Sequence, residues 1–107
     1  MTLSSFNQEI YLVITTEFDK KNASKLANLL LREKLIPCVT FKYIESHFWW
    51  EGNINQSQEV QLMIKCKKEN LDNVCNKISE LHSYEIPEII YFRVSANKNY
   101  HHWMNSI

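Results

Sequence analysis

The apolar positions of this chain switch between continuous runs and a three-four rhythm, and each switch marks an element. Ile10–Ile14 is an unbroken apolar run rich in β-branched residues, which predicts a central strand buried on both faces. Ala23, Leu26, Ala27, Leu30 and Leu31 then recur at the spacing of one helical face. Asp19 is placed to cap that helix, because its carboxylate can accept from the free N–H groups of the first turn. Pro37 forbids the helix much beyond Lys34. Two β-type stretches follow, Val39–Ile44 and Val60–Ile64, and between them lies His47-Phe48-Trp49-Trp50-Glu51-Gly52-Asn53. Gly52 is the one glycine in the chain. Glu51-Gly52-Asn53 is turn chemistry, so the stretch predicts a β-hairpin. Its arms run to about a dozen residues, where about 5–6 is usual. Gln56-Ser57-Gln58 is a polar interruption that predicts a bulge or bend in the second arm.

Leu71, Val74, Cys75, Ile78 and Leu81 make a second helical face ending near His82, with Glu69 and Asp72 in the first turn. Ile89–Val94 predicts a fourth strand. Asn97 is placed to cap a last helix carrying Tyr100, Trp103, Met104 and Ile107 on one side. The order is β-α-β-β-α-β with a C-terminal helix. That is an α+β chain of ferredoxin-like topology, an antiparallel sheet with its two main helices on one face. Residues 9–107 form one domain, and residues 1–8 are expected to fray.

Lys and Arg number 12 and Asp and Glu number 12, so the formal charge is zero. Binding to nucleic acid or to an anionic membrane surface needs a basic excess and is not expected. The three cysteines, Cys38, Cys66 and Cys75, form no CxxC pair and are odd in number. The start of the chain has no basic and apolar signal pattern. Together these predict a soluble, reduced, intracellular protein.

A long hairpin overhangs so small a domain, and its aromatic residues need a cover. The expected cover is another copy of the chain, with Phe48, Trp49, Trp50 and the tip at Gly52 forming a subunit interface. His47 is assigned to the same interface. His82, Glu85 and Glu88 fall within seven residues. Imidazole nitrogen and carboxylate oxygen suit copper or zinc. The competing reading has His82 capping the helix and the glutamates solvated. Adjacent His101 and His102 point about 100° apart and cannot easily share an ion. Cys66, between Lys65 and Lys67, has neighbours of the kind that lower a thiol pKa. No catalytic triad, phosphate loop or framed pair of carboxylates is present, so an enzyme is not expected.

Taken together, Pro37-Cys38-Val39, Phe48–Ile54, Glu59-Val60, Ile64-Lys65, His82–Ile89, Asn97, Tyr100 and Trp103 resemble the CutA divalent-cation-tolerance family, from about Ile10 to Ile107. The resemblance implies a tight homotrimer, a cytoplasmic protein, a link to copper and other divalent metals, and no enzymatic reaction. It also implies metal ligands at His82 and Glu88, with Glu85 in support. The chain departs from the family pattern at several positions. Thr15 stands where some members carry a proposed ligand cysteine, Glu17-Phe18 stands for Ala-Pro, and Ser83 stands for a proline that would preset His82. A second reading follows from the same topology. It is a trimer resembling the PII nitrogen-regulatory proteins, with Lys65, Lys67 or Arg93 holding a small anion or nucleotide. A third is a scaffold for another protein.

Overall fold

Residues 8–107 are described by the structure, a computed structural model. The expected frayed N-terminus lies outside them except for Gln8, which already pairs with Ala96. The elements run β1 (Gln8–Glu17), α1 (Lys20–Arg32), β2 (Cys38–Trp50), β3 (Asn53–Cys66), α2 (Leu71–Leu81), β4 (Ile90–Ala96) and α3 (Lys98–Asn105), with a 3-10 turn at Lys68–Asn70 before α2. The four strands form one antiparallel sheet in the order β2-β3-β1-β4. The ferredoxin-like α+β arrangement read from the sequence is the one observed.

Local chemistry fixes the ends. Asp19 accepts from the Asn22 N–H at 2.8 Å, which caps α1 and holds the Asp19 carboxyl below its usual range. Asn97 caps α3 by accepting from the Tyr100 N–H at 2.7 Å. α1 ends at Arg32, two residues before the expected stop. Lys34 turns left-handed there (φ 57°), its N–H bonds Leu31 O, and the Leu35 N–H bonds Leu30 O. Those two bonds are the Schellman closure, which favours glycine at the position Lys34 occupies. Lys34→Gly is expected to raise stability by about 0.5–1 kcal/mol. The urea midpoint would move up at unchanged slope.

Val13, Leu62, Ile64, Cys66, Val39 and Phe41 alternate onto one face of the sheet and pack against Ala23, Leu26, Leu30, Val74 and Ile78 of α1 and α2. The other face carries Ile10, Leu12 and Ile14 with Ile90, Phe92 and Met63. α3 covers only one end of it, where Ile10 and Met104 are buried and Tyr100 reaches Cys38. Leu12 and Ile14 are half-buried and Ile90 and Phe92 are exposed. The central strand is thus sealed on its helix face alone within one chain.

The hairpin register is unbroken from Cys38↔Lys65 to Trp50↔Asn53. The expected bulge at Gln56-Ser57-Gln58 is absent, because the polar side chains project from a regular ladder rather than interrupt it. Glu51 (φ 50°) and Gly52 (φ 79°) make the two-residue turn, whose positive φ angles match the right-handed twist of the strands. β1 pairs with β3 only as far as Val60. Beyond it Ile44–Trp50 and Asn53–Glu59 pair with each other alone, a projection of roughly 23 Å.

Candidate functional site

β1 ends in Val13, Thr15 and Glu17 on the helix face, and the alternation carries the Glu17 carboxylate inward. Glu17 is 1 % exposed. Its partners come from the loop after α2. The Ser83 N–H donates to Glu17 Oε2 at 3.2 Å, and the Ser83 hydroxyl donates to Oε1. The Ser83 substitution therefore does not loosen this turn. A proline there could make neither bond, and Glu17 and Ser83 are two departures from the family pattern that meet.

His82 closes α2, its N–H bonding Ile78 O, and its ring is fully buried. Nε2 lies 2.5 Å from Thr16 O and donates to it. Nδ1 accepts from the Tyr84 N–H at 3.0 Å, with Glu17 Oε2 3.7 Å away. The proton is therefore on Nε2 and the lone pair of Nδ1 is used. Both ring nitrogens are committed to the protein, so His82 as placed does not fit a metal ligand. Among the described residues no three His, Cys, Asp or Glu groups lie close enough to hold one ion. Thr15, at the position of the ligand cysteine of some members, is fully buried towards the core, and its hydroxyl has no partner.

The loop instead delivers Tyr84, Glu85 and Glu88 to the base of the hairpin. They border an open cleft of ≈ 840 Å³ together with Glu59, Phe48 and Trp50. His82 does not line it; its ring stands 4.9 Å from the Tyr84 ring, tilted by 54°. Glu85 and Glu88 are exposed at the rim. Glu59 is 9 % exposed and accepts the Tyr84 hydroxyl at 2.5 Å. Burial first, then that bond, pushes the Tyr84 hydroxyl above its ordinary pKa. No lysine or arginine lines the cleft. The sequence reading thus places Glu85 and Glu88 in one site but misses Glu59 and Glu17. Glu17 was legible from the inward alternation of Val13 and Thr15. Glu59 carried no signal, since its burial comes from Tyr84, which is distant in sequence.

The anion set does not assemble. Lys65 shares a sheet face with Leu12, whereas Arg93 shares the opposite one with Tyr11. Lys65 Nζ lies 3.9 Å from Cys38 Sγ, Lys67 pairs with Glu69 at 3.9 Å and Arg93 with Glu9 at 3.5 Å. The reactive-thiol reading of Cys66 fails for the same geometric reason. Strand alternation turns Cys66 into the core, away from Lys65 and Lys67, and burial, with Cys75 adding to it, pushes the thiol up to about 12. His47 lies on the projecting hairpin, 3.1 Å from Glu45.

The comparisons with known proteins agree with the motifs. A family model described as CutA1 divalent ion tolerance protein matches residues 11–107. A divalent-cation tolerance protein CutA of Pyrococcus horikoshii is 34% identical over 94 residues, 87% of this chain and 92% of that protein. One of Yersinia pestis is 34% identical over 96 residues, 88% and 81% of the two chains. Among solved structures, CutA of Synechococcus elongatus superposes with a TM-score of 0.89 at 26% identity, covering 94% of this chain and 91% of that one. A protein of Archaeoglobus fulgidus, named a periplasmic divalent cation tolerance protein, gives 0.87 at 28% identity over 91% and 96%. Matched along nearly its whole length by the family model, this chain belongs to the CutA1 divalent ion tolerance family.

Proposed function

We propose that this protein serves divalent-cation tolerance as a homotrimer that takes metal ions on carboxylate oxygens at the hairpin base. The observation that carries the reading is the cleft bordered by Glu59, Glu85 and Glu88, with His47 but no lysine or arginine on its wall. Glu85 and Glu88 are the rim ligands, and water or a neighbouring copy completes the set. Such a site is weaker than one built on His82. Copper is its tightest divalent ion because affinities for a given donor set rise along the first-row series to copper. The trimer is supported by the uncovered apolar face of the sheet and by the projecting aromatic hairpin, which one chain leaves open. The chain carries out no chemistry of its own in this reading. All three cysteines are free, which favours a reducing compartment, and we place the protein in the cytoplasm. No helix among the described residues is long and apolar enough to cross a membrane.

Calorimetric titration of the metal-stripped protein tests this. Copper is expected to bind at about micromolar or weaker and more tightly than zinc. The Glu85→Gln/Glu88→Gln variant should bind at least about tenfold more weakly. Binding unchanged in that variant, or none below about millimolar in the parent protein, contradicts the reading.

A further inference from the structure

We infer that the outward line of α1 is a docking surface for an acidic helical segment of a partner protein. The chain is neutral as a whole, yet residues 20–34 hold five of its 12 lysines and arginines against one acid, Glu33. The helix gives these charges a direction. Ala23, Leu26, Ala27 and Leu30 are its buried stripe. At 100° per residue, Lys21, Lys25, Asn28 and Arg32 fall on the line opposite, and all four are exposed. Lys20 and Lys34, also exposed, continue the charge at the two ends. Among the described residues none of the five cations lies within ion-pair distance of a carboxylate. Glu33 is turned aside to Lys77 of α2 at 3.5 Å, and the Asp19 carboxylate is committed to Asn22.

The arrangement works against the helix itself. The first turn of α1 holds no acid, and Lys20 and Lys21 stand there at the positive end of the dipole. Lys21 and Lys25 are four residues apart, a destabilising pair of like charges. Local rules broken without compensation inside the chain mark a surface kept for something outside it. The assembly leaves this line free. Neighbouring copies are expected on the open face of the sheet and on the projecting hairpin, whereas α1 packs on the opposite face of the sheet and turns this line away from it. The spacing selects the occupant. Lys21 and Lys25 stand about 6 Å apart along the axis, with Arg32 about 10 Å beyond. Carboxylates four and seven residues apart on an acidic helix repeat both intervals, and the Arg32 guanidinium can take a carboxylate with two N–H groups. Asn28, between them, both donates and accepts, as a peptide surface requires. A bilayer offers no such match, because the apolar face of α1 is packed on the core and nothing is left to insert. A line of three cations neutralises too few phosphates to hold a polynucleotide.

The probe is a fluorescein-labelled helical peptide of about fifteen residues with glutamates at those two intervals, followed by anisotropy as the assembled protein is added. Saturable binding at about 10–100 µM is expected in low salt, weakening at least about tenfold by 0.5 M salt. The same peptide with glutamine for glutamate should bind at least about tenfold more weakly. Lys25→Gln/Arg32→Gln should weaken the acidic peptide by at least about tenfold at unchanged mass and circular dichroism. Lys68→Gln/Lys98→Gln removes as much charge from exposed positions elsewhere and should change binding less than about twofold. Lys25→Glu should lose the peptide while its urea midpoint stays at or above the parent's, since a like-charge contact is gone. Absence of peptide binding, equal binding of the glutamine peptide, or equal weakening in the two double variants overturns the inference. A lowered midpoint in Lys25→Glu would mean that the line serves the fold, and also overturns it. Tighter binding of single-stranded DNA of equal charge, or of phosphatidylserine vesicles, would assign the line to phosphate and refute the acidic segment.

Discussion

Ser83→Pro is expected to destabilise the protein by about 3–5 kcal/mol, the cost of stranding a buried charge. Both hydrogen bonds to the Glu17 carboxylate come from Ser83. Proline removes the N–H and the hydroxyl at once. The remaining neighbour, His82 Nδ1, already accepts from Tyr84 and cannot donate in their place. Glu17→Ala should cost less, about 2–3 kcal/mol, because Ser83 is exposed and water can reach part of what it loses. The double variant, Glu17→Ala with Ser83→Pro, should recover about 2 kcal/mol of the sum, since neither partner is then stranded. His82 is already extended (φ −65°, ψ 142°), the conformation that a following proline requires. Urea midpoints of the four proteins at one concentration give the coupling. Strict additivity would mean that Glu17 and Ser83 are not the coupled pair described here.

Replacing Phe48 and Trp50 by serine is expected to raise the dissociation constant of the assembly by at least about a thousandfold, with little change in the fold of each chain. The two side chains alternate onto one face of the projecting hairpin, where β2 pairs only with β3. Trp50 is 43 % and Phe48 41 % exposed, so each leaves a large apolar area that only a neighbouring copy can cover. Buried aromatic anchors at an interface each carry about 2–4 kcal/mol, and two of them account for the factor. Sedimentation velocity across a dilution series checks this. An assembly as tight as the parent's would mean that the hairpin is not the seal.

The order of elements was legible because hydrophobic period, caps and the single glycine agree with one another. Ile10–Ile14, the α1 face from Ala23 to Leu31, Asp19, Asn97 and Gly52 each point to the element that forms. Errors fell where local chemistry and tertiary contact compete. Gln56-Ser57-Gln58 looks like an interruption, but a regular ladder tolerates polar side chains pointing to solvent. Lys34 gives no hint of a left-handed residue, because lysine rarely adopts it. The candidate site was half legible. Glu85 and Glu88 reach the cleft as loop residues near the hairpin, but His82 has the chemistry of a ligand and spends it on hydrogen bonds to Thr16 and Tyr84. Glu59 acquires its role only from Tyr84, twenty-five residues further along the chain.

Sedimentation equilibrium of the unmodified protein, with and without chelator, tests most directly the claim that apolar cover builds the assembly around the cleft. A mass near three times 12.8 kDa in both conditions is the predicted result. A monomer, or a trimer that falls apart when metal is removed, would contradict it.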